Sequence, residues 1–411
     1  MGLAGDDGSD PEFLVYSPLS PLGDYKLVTN PYDLIFAGGG LASGLTAFRL
    51  KLSRPELRIL ILEQGRELGG EHTWSFHGAD LDPGQEWALA FAPQRWPSYS
   101  VAFPGFSREL GGGYASVRSS EFRVRIEGLA GVDIRLQACV SRLHQGGAEF
   151  EEPGGRATAE ARCVIDARGG LLGEGLSCGY QKFVGLDVRL KEPHGLSNPM
   201  LMDARVPQKD GFRFFYVLPW SDRNLLIEDT RYSETQELDS QDLEKEIFAY
   251  AGRKGWAVER VLRRERGCLP IPLEGRLSGG TPGVTMAGTR AGLFHATTGY
   301  SFPDAVRFAD GLARLPALDG PSVADWARKW SDRHWAQQTF FRRLNRLMFR
   351  AARPHERYKI LEKFYRHPEP LIGRFYAGRP SPVDRVRMFS GMPPVPLGRA
   401  FQCLFERRNA A

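Results

Sequence analysis

Tyr32-Asp-Leu-Ile-Phe-Ala37 is a short apolar run that ends at three successive glycines, Gly38, Gly39 and Gly40. Such a run reads as a buried strand. From Leu41 to Leu52 the apolar residues Leu41, Leu45, Phe48 and Leu52 recur at helical spacing, and Arg58-Ile-Leu-Ile-Leu-Glu63 is a second apolar run. Strand, glycine turn, helix and strand make a βαβ unit of about 30 residues. Gly38 allows the tight turn, and Gly40 lets a pyrophosphate approach the backbone. The helix start, Leu41-Ala42-Ser43, supplies N–H groups and a positive dipole end. Ser43 stands where the fingerprint has its third glycine and is expected to loosen helix–strand packing slightly. Glu63 is placed to accept hydrogen bonds from an adenosine ribose. It would repel a 2′-phosphate, so NADP is disfavoured at this loop. The expectation is an α/β chain with a Rossmann-type dinucleotide domain. A plain glycine turn with a surface glutamate is the simpler reading.

The 411 residues leave room for two or three domains, and 42% hydrophobic with 25% charged residues is an ordinary globular balance. The five cysteines show no C-x-x-C spacing, so neither a metal site nor a disulfide framework is expected. That fits a reducing, cytoplasmic location. No apolar run reaches the length of about 18 residues that a membrane span needs. Residues 1–31 lack the pattern of a signal peptide and are expected to form a tail or a cloning remnant.

The net charge of +5 is unevenly distributed. From Trp326 to Ala411 there are 19 Lys and Arg against six Asp and Glu, a net of +13, which leaves −8 for the rest. A basic segment on an acidic body suggests an anionic partner surface.

Along the chain, residues 32–170 and 265–320 read as a discontinuous nucleotide-binding domain. Residues 171–264 read as a mainly antiparallel β domain for substrate, with strands at 183–190, 213–218 and 224–232 and a helix at 239–262. Residues 321–411 read as a basic helical segment.

Further segments narrow the reading. Glu63-Gln-Gly65-Arg66 followed by Gly69-Gly70 resembles the flavoprotein continuation of the fingerprint. Gly69-Gly-Glu-His-Thr-Trp-Ser-Phe-His77, Asn198-Pro-Met-Leu-Met-Asp203, Leu225-Leu-Ile-Glu-Asp-Thr-Arg-Tyr232, Gly292-Leu-Phe-His-Ala-Thr-Thr-Gly-Tyr-Ser301 and Pro393-Pro-Val-Pro-Leu-Gly-Arg-Ala400 resemble, in order, segments of the bacterial lycopene β-cyclase family. The usual proline before Thr297 is Ala296 here. The resemblance implies an FAD protein whose reduced flavin takes part without net oxidation, NAD(P)H as reductant, and a proton-initiated cyclisation of lycopene. It carries the catalytic acid onto Glu228.

Cyclising an acyclic polyene end needs an acid in an apolar pocket, where burial keeps it protonated and water cannot trap the cation. In a strand over Leu225–Thr230, Glu228 shares a face with Leu226 and Thr230, and Asp229 lies on the other. Only one of the two carboxylates can enter a given cavity. An acidic pair facing solvent at a strand end is the bland alternative. Asp203 matches a family aspartate and could hold or charge-tune the acid, or be a turn residue. Thr298, Gly299 and Tyr300 precede a helix whose Ser301-Phe-Pro-Asp304 start has capping-box form. With Gly69 and Gly70 they complete the expected cofactor contacts. A helix start aimed at the flavin would favour its anionic reduced form. Trp74, Phe214 and Tyr216 are candidate polyene contacts, with Phe76 and Phe215 as further aromatics. His72, His77 and His295 are given no catalytic role.

Trp326, Trp330, Trp335, Phe340 and Phe341 alternate with arginines, a pattern suited to an anionic membrane surface or to a charged face over a packed helix. No nucleic-acid module accompanies the charge. Two other functions remain open: a redox flavoenzyme such as a hydroxylase or desaturase, and a non-enzymatic carotenoid- or flavin-binding protein.

Overall fold

The computed structural model describes residues 26–27, 31–171, 173–390 and 398. Of the tail expected over 1–31, residues 1–25 and 28–30 lie outside the described residues, as do the Pro393–Ala400 segment apart from Gly398, and Cys403; Lys26 and Leu27 instead pair as a short strand with Ala157 and Thr158.

Among the described residues, the first sheet has eight strands. β2 (Tyr32–Ala37), β3 (Ile59–Glu63) and β9 (Val132–Leu136) run parallel, and β12 (Gly155–Asp166) joins β2 in parallel on its other side. β10 (Cys139–His144) and β11 (Gly147–Glu152) extend the sheet antiparallel from β12. The two-residue strands β1 (Lys26–Leu27) and β18 (Thr285–Met286) also pair with β12. The continuous apolar runs of β2 and β3 follow from burial on both faces. Leu34, Phe36 and Ile61 pack under α1 (Leu41–Ser53) and α4 (Phe302–Ala313); Ile35, Leu60 and Leu62 pack against Leu143 and Phe150. Helix–strand packing is not loosened at Ser43. That residue is fully buried and its Oγ donates to the Gly38 carbonyl at 2.5 Å. One position later the helix makes a close approach to another helix. A Cβ on Gly44 would lie 2.2 Å from Phe122 of α2 (Ser119–Glu127).

The second sheet runs in the order β17 (Val258–Leu277), β13 (Gly173–Leu190), β16 (Asn224–Ser233), β15 (Phe212–Pro219), β14 (Met200–Asp203), β6 (Tyr99–Phe103), β7 (Phe106–Leu110). Neighbours are antiparallel except β14 and β6. β6 and β7 therefore belong with this sheet although they fall within 32–170, and β17 carries the sheet to Leu277. The helix expected over 239–262 is shorter. α3 (Ser240–Arg253) is capped by Asp239, whose side chain accepts from the Gln241 and Asp242 amides. It stops at Gly255, in the left-handed region at φ +73°. A small third sheet holds β4 (Thr73–His77), β8 (Tyr114–Arg118) and β5 (Gln94–Trp96).

The C-terminal part is helical: α5 (Gly320–Gln337), α6 (Thr339–Arg346), α7 (Tyr358–Phe364), α8 (Glu369–Tyr376) and α9 (Pro382–Phe389). Its aromatics do not form an outward face. Trp326 packs on Phe308 and Trp330 at 5.2 and 5.3 Å between ring centroids, and Trp335, Phe341 and Met348 are buried. The reason is that this segment closes the core between the two larger sheets. The membrane pattern read from Trp and Arg alternation is thus, for those residues, the pattern of a packed helix with charged flanks. Among the described residues no helix is long and apolar enough to cross a membrane.

Candidate active site

A cavity of about 640 Å³ joins the two expected sites. Its lining includes Gly38, Gly40, Leu41, Ala42, Glu63, Gly69, Gly70, Thr298, Gly299 and Tyr300 from the first group. Trp74, Phe214, Tyr216 and Glu228 come from the second. Gly39 and Ser43 do not line it. A Cβ on Gly39 would point at Leu68 and Glu63, and Ser43 turns back to Gly38.

The loop has the geometry a dinucleotide needs. Gly38 sits at φ +96°, and a Cβ there would lie 2.9 Å from the Ala167 carbonyl oxygen. A Cβ on Gly40 meets nothing within 4 Å, so the backbone there is open to the cavity. Glu63 accepts from the Gly39 and Gly65 amides, each at 2.6 Å. Its carboxylate therefore stands at the strand end beside the glycine turn. Gly288 (φ +63°), 3.0 Å from Ala42 Cβ if it carried a Cβ of its own, allows a second backbone segment to close over the helix start. Gly288 and Thr289, with Arg168, Gly169 and Gly170, also line the cavity. Their approach to the loop depends on β12 and β18 pairing, which no local motif signals. α4 begins where expected, with Ser301 at the cavity. The capping box does not form, because Asp304 turns to Arg307 at 3.0 Å and Ser301 makes no side-chain cap.

At the other end, β16 carries Glu228, the expected acid. Glu228 is 8% exposed, lines the cavity, and takes a hydrogen bond from the Thr230 hydroxyl. Burial, reinforced by the neighbouring Glu265 carboxyl, holds its pKa well above the ordinary glutamate range. Asp229 faces away. It is fully buried against Arg213, at 2.9 and 2.8 Å, and also pairs with Arg231 at 3.1 Å.

Asp203 stands on the Asp229 side of the sheet, because it pairs in register with Phe215, itself opposite Asp229. It bonds to Arg205, Lys254 and Tyr250 at 2.8–2.9 Å. Burial alone would raise its pKa, but Arg205 and Lys254 more than offset this and keep the carboxyl ionised. Neither Asp203 nor Asp229 therefore reaches the cavity, and the expected tuning of Glu228 by Asp203 has no direct contact to act through.

Among the aromatics, Phe215 stacks on Tyr250 at 4.0 Å and Phe76 on Phe302 at 4.5 Å, both away from the cavity lining. Tyr216 belongs to a hydroxyl network. It bonds to Ser75 at 2.8 Å and to Tyr114 at 2.9 Å, and Tyr114 bonds to Tyr300 at 2.6 Å. His77 is buried, which lowers its pKa to about 3; His295 bonds to the Phe375 carbonyl at 3.0 Å. His72 lines the cavity. Glu265 escaped the sequence reading, since Arg263-Arg264-Glu265-Arg266 looks like a solvated, charged strand.

Residues 33–402 match the lycopene cyclase protein family. The chain belongs to that family. It is 45% identical over 374 residues to a lycopene beta-cyclase of Pseudescherichia vulneris, covering 90% of this chain and 96% of that one. It is 41% identical to a lycopene beta-cyclase of Pantoea ananas, covering 91% and 98%. Among solved structures, a geranylgeranyl bacteriochlorophyll reductase-like protein of Thermoplasma acidophilum superposes with a TM-score of 0.57 at 14% identity, covering 89% of this chain and 96% of that one. A flavin-dependent brominase superposes with a TM-score of 0.55 at 14% identity, covering 85% and 94%. The cyclase sequence thus rides on a fold shared with flavin-dependent enzymes.

Proposed function

We propose that this cyclase-family chain is a lycopene β-cyclase that converts the acyclic ends of lycopene into β-rings, with Glu228 as proton donor. The observation that carries the reading is one cavity lined both by Gly38 and Gly40 of the glycine loop and by Glu228, whose pKa burial raises.

FAD fits the loop end. Gly38 and Gly40 with the α1 start would hold the pyrophosphate, Glu63 the ribose, and Thr298–Tyr300 the ring end. Bound in its reduced form, the flavin would supply negative charge to stabilise a developing cation. NAD(P)H is the proposed electron donor.

The chain's own residues then account for the rest. Phe214, Trp74 and Tyr216 line the cavity, and with the polyene bound their role in this reading is to keep water from capturing the cation as an alcohol. The Glu228 O–H bond breaks as a C–H bond forms at the terminal double bond. The internal double bond attacks the resulting cation and closes the ring, and loss of a ring proton ends the reaction. Lycopene and β-carotene are isomers, so no electrons are consumed. Asp203 and Asp229 hold the sheet rather than the substrate.

The substrate is a hydrocarbon dissolved in membrane, and the proposed membrane contact moves to α9. There Val383, Val386 and Phe389 are exposed beside the exposed Arg385 and Arg387. Expression in lycopene-accumulating cells tests the function: β-ring products support it, and hydroxylated or further desaturated products would replace it with a redox function.

A further inference from the structure

Tyr216, Glu228, Gly185 and Glu265 occupy directly opposed positions on four adjacent strands, β15, β16, β13 and β17. Opposed residues project to the same face. Two glutamates separated by an intervening strand would ordinarily be held apart by the side chain between them. Here that position is glycine. A Cβ on Gly185 would lie 2.8 Å from Glu265 Cγ and 3.0 Å from its Oε1. Glu265 therefore fills the space above Gly185 and comes within hydrogen-bonding reach of Glu228.

The two carboxyls are not equivalent. Glu265 accepts from Thr73 Oγ1 and pairs with the Arg263 guanidinium, each at 2.8 Å. Among the described residues, Glu228 meets the Thr230 hydroxyl and the Glu265 carboxyl and pairs with no cation. Burial raises both carboxyls, but Arg263 and the Thr73 hydroxyl counter the rise at Glu265, so of the pair Glu265 gives up its proton first.

We propose that Glu265 is a positioning residue for the proton donor: its carboxylate, reaching Glu228 through the gap at Gly185, keeps the proton on Glu228 at rest and draws it back after donation. This rests on Glu228 being the acid. During donation the Glu228 O–H bond breaks and a C–H bond forms on the polyene. Two adjacent carboxylates then face each other, which makes Glu228 a strong base. The ring C–H bond breaks, its electron pair becomes the ring double bond, and the proton returns to Glu228. Nothing is oxidised or reduced. The other groups around the pair are Arg263 and Asp187 beside Glu265, Tyr216 and Tyr232 beside Glu228, Asp229 on the opposite face, and His72 next to Arg263.

The test is an infrared pH titration of the Glu228 carboxylic-acid band in the full chain, the band being assigned by its loss in Glu228→Gln. In the unaltered protein the band should persist well above the ordinary carboxylate range. In Glu265→Gln, which keeps the size but removes the charge, it should disappear at a pH lower by about one unit or more. The alkaline limb of the cyclisation pH profile should move the same way. Gly185→Ala, which wedges the carboxyls apart, should reproduce the direction of the shift and decides the matter alone if Glu265→Gln does not fold. A Glu228 band that stays put in these variants, or one already lost at pH 7 in the unaltered protein, overturns the proposal. Absence of β-ring products from the unaltered protein would instead overturn the cyclase reading, and the infrared shift is read without any product.

Discussion

Glu228 and Asp229 are consecutive in β16 yet lie on opposite faces of the sheet: Glu228 opens into the cavity, and Asp229 is locked to Arg213 at 2.8 Å in the core. Chain neighbours of the same chemistry thus have separate tasks. Glu228→Gln should lower β-ring formation by at least about 10²–10⁴-fold, the usual contribution of a general acid, while FAD content stays unchanged. Asp229→Asn should act on stability instead. Breaking a buried ion pair costs about 3–5 kcal/mol, and the lower end is expected because Glu246 still contacts Arg213 at 3.0 Å. Product analysis alongside thermal melting separates the two effects. A fully active Glu228→Gln would remove this strand from the chemistry.

Gly40 offers a clean test of the cofactor loop. Its backbone is open to the cavity and a Cβ there meets no protein atom within 4 Å. Gly40→Val should therefore fold with a cofactor-free melting temperature close to that of the unaltered chain, but lose FAD by projecting into the pyrophosphate space. Gly38→Ala should lose both, because Gly38 is at φ +96° and packed against Ala167. Flavin absorbance after denaturation, with melting of the apo forms, reads both outcomes. Full FAD content in Gly40→Val would contradict the placement.

With pre-reduced enzyme under anaerobic conditions, many β-rings should form per reducing equivalent supplied. The isomeric relation of substrate and product requires it. One-for-one oxidation of NAD(P)H with product would favour a redox reaction.

Flotation with liposomes tests the membrane surface. Binding should need anionic lipid, weaken with salt, and fall strongly when Val386 and Phe389 are both changed to Asp. Trp326→Ala should instead lower the melting temperature, since that ring packs between Phe308 and Trp330. Salt-independent binding to neutral lipid would show that the arginines are not involved.

The dinucleotide unit was legible from sequence because its chemistry is local. Strand, turn and helix lie within one short stretch, and the turn from Gly38 to Gly40 dictates the backbone path whatever surrounds it. The alternation that separates Glu228 from Asp229 was equally local, since successive strand residues must point to opposite faces. What strand periodicity cannot say is which face meets a cavity, and that choice depended on α3 covering the Asp229 side. The same limit applied to Asp203: its strand residue type was visible, but its face was set by pairing with Phe215. Trp326, Trp330 and Trp335 left two readings open for a related reason. A helix with aromatics among arginines has one pattern whether its apolar side meets lipid or a core, and only the position of α5 against α4 and the first sheet decided it. Glu265 was beyond any local reading. Its meeting with Glu228 requires three strands in register and a missing side chain at Gly185, and register between distant segments is fixed by the packing of the whole sheet.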